Sequence, residues 1–153
     1  MTELRVQRVE ASTLYELRRR VLRDNDPTQS ASDSSDDAAS TMHWGGFVGD
    51  RLVVSASLYL EPAPVNEELI SYQLRFMATD FDEQGKGYGS EVLESAFDAL
   101  RERGAAQVWA HARDTALGFY VATGWNVVDG SEHLSIVTNL PHTTIVKSLV
   151  ERS

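Results

Sequence analysis

The strongest chemical signal in the chain is the stretch Met77-Ala78-Thr79-Asp80-Phe81-Asp82-Glu83-Gln84-Gly85-Lys86-Gly87-Tyr88-Gly89-Ser90. It joins a strand-like pattern to a helix-like one. Glycines at alternate positions, 85, 87 and 89, open backbone conformations that other residues avoid and let a ligand approach the main chain closely. The first turn of the helix adds unpaired N–H groups and a partial positive charge. Strand, glycine-rich turn and helix N-terminus together form an anion site suited to pyrophosphate. A plain strand-to-helix turn is the alternative use of the same residues.

Two common phosphate-binding signatures do not fit. A P-loop requires glycine, four residues, then Gly-Lys and Ser or Thr. Here Gly85-Lys86 is followed by Gly87, and no glycine stands five positions before Gly85. A dinucleotide fingerprint requires a third glycine where Ser90 stands, although Asp114 lies at a plausible spacing for a ribose contact. The hairpin pattern upstream also does not suit the start of a nucleotide-binding parallel sheet.

Gln84-Gly85-Lys86-Gly87-Tyr88-Gly89 resembles the Gln/Arg-x-x-Gly-x-Gly/Ala motif of the GNAT acyltransferase superfamily. In that family the motif follows the fourth strand and opens the third helix. Val108-Trp109-Ala110-His111-Ala112-Arg113 resembles the fifth strand, and Ala116, Phe119-Tyr120 and Gly124-Trp125 resemble its continuation. The likeness is strong over residues 71–128, and the order of elements fits nearly the whole chain. It implies an α/β (α+β) fold: a mixed, mostly antiparallel central sheet of six to seven strands flanked by about four helices, in one domain over residues 1–153. It also implies transfer of an acetyl group from acetyl-CoA to a primary amine of a small molecule or peptide, by direct attack in a ternary complex. A non-catalytic acyl-CoA-binding regulatory module on the same fold is the alternative.

By the same resemblance, backbone groups of Met77 and Thr79, on either side of Ala78, would pair with the pantetheine arm. Main-chain N–H groups of Gln84, Gly85, Lys86, Gly87, Tyr88 and Gly89, with Ser90 close by, would hold the pyrophosphate. The Lys86 side chain either adds charge there or points to solvent. Tyr120 matches the tyrosine that in many members protonates the departing thiolate, which eases C–S cleavage; packing beside Phe119 is its other role. His111 either bonds pantetheine or water, or is a polar residue at a strand end.

The family often takes the amine proton with a fourth-strand Glu. Here the polar residues of that strand are Ser71, Gln73 and Arg75, so the base is missing from its expected place. His43, His142, Glu61, Glu68 and Asp80 are the remaining candidates. Arg18, Arg23, His43, Arg75 and His142 are candidate acceptor-binding residues. Arg18 and Arg23 can grip a substrate carboxylate in two-pronged fashion; a solvated helix face paired with Glu16, Asp24 or Asp26 is the alternative. His142, expected in the turn between the last two strands, can bind substrate or relay a proton near neutral pH, or is an exposed turn histidine.

The elements that must position these groups are legible from periodicity. A short strand through Leu4 and Val6 opens the chain. A helix follows, with Thr13 and Glu16 at capping-box spacing and Leu14, Leu17, Val21 and Leu22 as its apolar stripe. Residues 25–40, mostly Ser, Asp and Ala, read as a mobile loop, and the run from Asp33 to Asp37 as a lid or a plain loop. Strands are expected at 42–48 and 52–60, joined at Gly49-Asp50, and at 69–79. On the second of these, Ser55, Ser57 and Tyr59 alternate with Val54, Ala56, Leu58 and Leu60. A helix starts after Gly87 and stops at Gly104. A strand at 107–112, a short helix capped by Asp114 or Thr115 and ended by Gly124, and strands at 125–128, 134–138 and 143–149 complete the set.

Bulk properties set outer limits. The 153 residues are 42% hydrophobic and 24% charged, an ordinary globular composition for one domain. Cysteine is absent, which excludes disulfides and thiolate metal sites. The four histidines lie without ligand spacing, so no metal is implied. A net charge of −9 argues against a nucleic-acid partner and is compatible with a cationic amine. No apolar run is long enough to cross a bilayer or to act as a signal peptide, so no membrane partner and a cytoplasmic location are expected. A homodimer is left open.

Overall fold

A computed structural model of the chain describes residues 3–26, 30–136 and 139–150. Among the described residues eight strands form one sheet in the order β1-β2-β3-β4-β5-β8-β6, with β7 also paired to β8. The strands are β1 (Leu4–Arg8), β2 (Met42–Val48), β3 (Arg51–Leu60), β4 (Ser71–Thr79), β5 (Gln107–Arg113), β6 (Asn126–Val127), β7 (His133–Leu134) and β8 (Pro141–Ser148). Among the described residues there are three α-helices, α1 (Ala11–Leu17), α2 (Tyr88–Glu102) and α3 (Leu117–Ala122). None is long and apolar enough to cross a membrane.

The chain divides into two compact units. The first comprises Met1–Leu60 and Leu74–Leu100. Its strands β1, β2 and β3 pair antiparallel in sequence order, with Gly49 at φ +60 in the β2–β3 turn. Helix α2 presents Val92, Leu93, Ala96, Phe97 and Leu100 to the core, none more than 3% exposed. It lies close against β2 because Gly46 has no side chain: a Cβ there would sit 2.9 Å from Val92 Cγ2.

The second unit comprises Glu61–Gln73 and Arg101–Ser153. Ser71, Tyr72 and Gln73 pair in parallel with Gln107, Val108 and Trp109. Strand β8 pairs antiparallel with β5, β6 and β7. The buried Gln107 amide spans the start of the unit, donating to the carbonyls of Val65 and Asn66 and to Ser71 Oγ. Trp109 Nε1 donates to the Glu61 carbonyl.

Three features depart from the sequence reading. Helix α1 starts at Ala11 behind Glu10, with no side-chain cap, so the Thr13–Glu16 box does not form. Glu16 instead accepts from Arg20 Nε one turn on. Pro141 and His142 are not a turn; they open β8, where proline is tolerated as a first residue. The strand expected at 134–138 is cut to His133–Leu134, and positions 137 and 138 lie outside the described residues.

Within the 25–40 segment, residues 27–29 lie outside the described part. Residues 30–41 form turns, because their Ser and Asp side chains bond nearby backbone instead of leaving it to a helix. Asp36 accepts from the Asp33 N–H and Asp33 from the Ser35 N–H. Asp36 is also buried, at 5% exposure. It faces Arg18, which is fully buried at the start of a π-helical continuation of α1, Arg18–Leu22. Arg18 Nη1 and Nη2 lie 3.0 and 3.4 Å from the two Asp36 carboxylate oxygens, and Tyr59 Oη donates to the same group. Nη1 also donates to the Ala31 carbonyl and Nη2 to Ser57 Oγ. Burial alone would raise the Asp36 carboxyl pKa, but the hydrogen bonds from Arg18, Tyr59 and the Asp33 N–H bring it below the ordinary value.

Removing one partner of such a pair strands the other charge in the core, which typically costs about 3–5 kcal/mol. Asp36→Asn should therefore lose about that much stability in urea unfolding at neutral pH. A depressed carboxyl pKa stabilises the fold above the unfolded value of about 4 and ceases to as pH falls through the folded value. The gap between parent and variant should accordingly narrow as pH drops below about 4. A gap that stays constant with pH would show that the Asp36 charge is not what holds the segment.

Candidate active site

The 77–90 stretch forms the end of β4, a single 3₁₀ turn (Phe81–Glu83), a glycine-rich bend and the start of α2. Its base is an ion-pair network within the first unit. Asp80, 3% exposed, accepts from Arg20 at 3.0 and 3.1 Å and from Arg51 at 3.0 Å. Arg51 also donates to Glu83, which accepts from Lys86 Nζ at 2.9 Å. The Arg20 hydrogen bonds hold the Asp80 carboxyl below the usual carboxylate range. The Asp80 N–H bonds the Val53 carbonyl at 2.7 Å, and Gln84 Nε2 caps the Thr79 carbonyl at 3.0 Å. The bend is thus tied to α1, β3 and β4 on one side.

Its other side is open. Gly85 and Gly87 both have φ +82, and a Cβ built on either meets no atom within 4 Å. The glycines are required by backbone conformation, since L side chains rarely adopt it. The vacant space beside them leaves their main chain approachable. Gly85, Lys86 and Gly87 are exposed. The first-turn amides of the 15-residue helix α2 follow directly, so the residues suit a pyrophosphate. Lys86 is engaged by Glu83, which raises its pKa.

One turn upstream, β4 is distorted. Phe76 has φ +54, an unusual conformation for a bulky residue. Ser55 Oγ donates to its carbonyl at 2.8 Å, which fixes the distortion from β3. Three guanidinium groups surround the Phe76 ring: Arg18 at 4.0 Å, Arg75 at 5.0 Å and Arg23 at 5.8 Å from its centroid. Arg75 also stacks on Tyr59, 5.5 Å away. His43 joins from below, with Nδ1 2.7 Å from Ser57 Oγ and Nε2 2.8 Å from the Asp36 carbonyl. Bonding to a carbonyl makes Nε2 the protonated nitrogen, so Nδ1 is the acceptor.

The first unit therefore gathers Arg18, Arg23 and Arg75 around one ring, with His43 reaching the cluster through Ser57 and Asp36. Arg18 is completely enclosed and its charge is met by Asp36, which separates it from the more open Arg75. Spacing could not reveal Asp33, Asp36, Ser57 and Tyr59 as partners of this cluster. The alternating Ser55, Ser57 and Tyr59 on a strand buried on both faces was the available signal.

The second unit holds Tyr120, His111 and His142. Tyr120 is 6% exposed and packs edge-on against Phe119 and Trp125. Burial pushes its phenol pKa up, so it stays protonated at neutral pH. His111, His133 and His142 form a row, with ring centroids 4.8 and 6.1 Å apart. His133 was not foreseen; the register that sets it opposite His142 brings it there. His142 Nδ1 lies 2.8 Å from the Leu140 carbonyl, which leaves Nε2 as the basic nitrogen. His111 Nδ1 lies 2.9 Å from Thr144 Oγ1. Among the described residues no group of three or more His, Asp or Glu could hold a metal ion.

Of the other base candidates, Asp80 is held as an anion by two arginines and Glu61 and Glu68 are exposed. Gly87→Asp tests the bend itself. It sets a negative side chain into the open space and onto a strained backbone. Acyl-CoA affinity should fall at least about tenfold, or roughly 1.4 kcal/mol, with the fold kept. Unchanged affinity in calorimetry would remove the bend from the donor site.

Residues 11–125 match the acetyltransferase (GNAT) family. The chain is 31% identical over 122 residues to YitI of Bacillus subtilis (strain 168), named as an uncharacterized N-acetyltransferase, covering 80% of this chain and 82% of that one. Among solved structures it is similar in fold to FeeM, an N-acyl amino acid synthase from uncultured soil microbes, with TM-score 0.77, 13% identity and coverage of 97% and 92%. It is likewise similar to an aminoglycoside 6'-N-acetyltransferase complexed with coenzyme A, with TM-score 0.72, 12% identity and coverage of 97% and 99%. The chain belongs to the acetyltransferase (GNAT) family and is an acyltransferase that draws on acyl-CoA.

Proposed function

We propose that the protein transfers an acetyl group from acetyl-CoA to a primary amine of a small molecule or peptide, by direct attack in a ternary complex. The observation that carries this reading is the open glycine bend: two residues at φ +82 with vacant space beside them, opening a long helix and tied down by Asp80 and Glu83. In this reading the N–H groups of Gln84, Gly85, Lys86, Gly87, Tyr88 and Gly89, with Ser90, hold the pyrophosphate. The main chain at Met77, Ala78 and Thr79, just past the distorted Phe76, receives the pantetheine arm. His111 contributes a polar contact to that arm. His142 meets the acceptor through Nε2.

The chemistry is an exchange at one carbonyl. The neutral amine attacks the thioester carbon, a C–N bond forms and the C–S bond breaks. The amine loses a proton and the sulfur gains one. Tyr120 is the donor to sulfur in this scheme. The hydroxyl carries its proton at neutral pH, as a donor must, while burial makes it a weaker acid than a free phenol.

Tyr120→Phe keeps the ring and removes the proton. General acid catalysis is typically worth about 10²–10⁴-fold, and water can replace part of it. A drop in kcat near the lower end of that range is expected, with coenzyme A affinity and melting temperature retained. A kcat within about twofold of the parent, with product release shown not to limit the rate, would exclude Tyr120 as the acid.

A further inference from the structure

The Phe76 cluster has an asymmetry that the acetyl-transfer scheme does not use. The chain as a whole is acidic, at −9, yet three guanidiniums converge on one ring at the end of β4. Arg18 is sealed and matched by Asp36. Arg23 donates to the carbonyls of Leu22 and Ser30. Arg75 differs from both. Its side chain is 33% exposed, and Nη1 meets one oxygen of Asp33 at 2.8 Å. The other Asp33 oxygen is taken by the Ser35 N–H. Among the described residues the Arg75 guanidinium makes no other hydrogen bond.

The result is a guanidinium set over two aromatic rings, Tyr59 and Phe76, with Nε and Nη2 unclaimed. Such an edge matches a carboxylate in a two-pronged geometry. The Asp33 contact is partly exposed, the class of ion pair that water screens and that adds little to stability. It orients Arg75 without saturating it. Arg75 directly precedes Phe76, and the proposed thioester arm begins one residue later.

We propose that the open edge of Arg75 binds a carboxylate on the acceptor, so that the acceptor class is amino acids or amines bearing a nearby carboxylate. The proposal rests on the acetyl-transfer reading above. Arg18 and Asp36 are its foundation and not its contact surface: they fix the turn that carries Asp33. Asp33 anchors Nη1 of Arg75 and also repels an incoming anion.

The test uses the full chain with acetyl-CoA and a panel of L-amino acids, each beside its own C-terminal amide. The amide keeps the amine and side chain and removes the anion. A site built around a specific polar group discriminates strongly against the analogue lacking it. The acid should exceed its amide in kcat/KM by roughly tenfold or more for the accepted side chains. Arg75→Gln should bring that ratio down toward one, and Arg75→Lys should restore part of it. Asp33→Asn should lower KM for the acid more than for the amide. A ratio at or below one in the parent, or an unchanged ratio in Arg75→Gln, overturns the proposal. Transfer to neither acids nor amides with acetyl-CoA binding intact also overturns it and leaves the donor site standing. Absence of acetyl-CoA binding in calorimetry removes the acetyl-transfer reading beneath it.

Discussion

A single buried guanidinium organises the part of the molecule from which the glycine bend is presented. Arg18 is fully enclosed, and a charge in that position is tolerable only if every neighbour answers it. Asp36 supplies the anion, Ala31 a carbonyl, Ser57 a hydroxyl and Phe76 a ring face. These come from the 30–41 turns, β3 and β4, so one side chain draws all three onto α1. Its Nε has no partner, which leaves a residual cost inside the cluster.

The consequence passes outward along β4. Phe76 lies beneath Arg18 in an unfavourable backbone conformation, and Ser55 fixes its carbonyl. Strain of this kind costs on the order of 1–3 kcal/mol and persists where surroundings over-determine it. Beyond it the chain reaches Asp80, where two further arginines close the strand. The glycine bend starts only after Glu83 is tied to Arg51 and Lys86. A flexible sequence, Gly-Lys-Gly-Tyr-Gly, is thereby presented from a fixed base. That arrangement lets main-chain N–H groups face an anion with little ordering left to do.

Much of this was legible before the structure. Gly49-Asp50 marked the β2–β3 turn, the Val92 to Leu100 stripe marked the buried face of α2, and the alternating glycines marked the open bend that leads into α2. These are local signals, carried by residues close in sequence. The failures were long-range. Arg18 and Asp36 are 18 positions apart, and neither residue type predicts burial alone. Pro141 and His142 look like a turn, but pairing with β7, and of His142 with β5 as well, sets them in a strand. The histidine row arises from the register of three strands, which spacing along the chain does not encode. The stripe of Ser55, Ser57 and Tyr59 was the one local hint of a polar interior, and it leads directly to the cluster.

The central claim is that an anion-binding bend on a rigid base serves acetyl transfer to an amine. The most direct measurement mixes the purified chain with acetyl-CoA and an amine and amino-acid panel. It follows free thiol release together with the mass of each acceptor. The account predicts thiol release that depends on an acceptor and matches, mole for mole, a mass gain of one acetyl group on its amine. Tight binding of acetyl-CoA with no acceptor-dependent thiol release across the panel would contradict it.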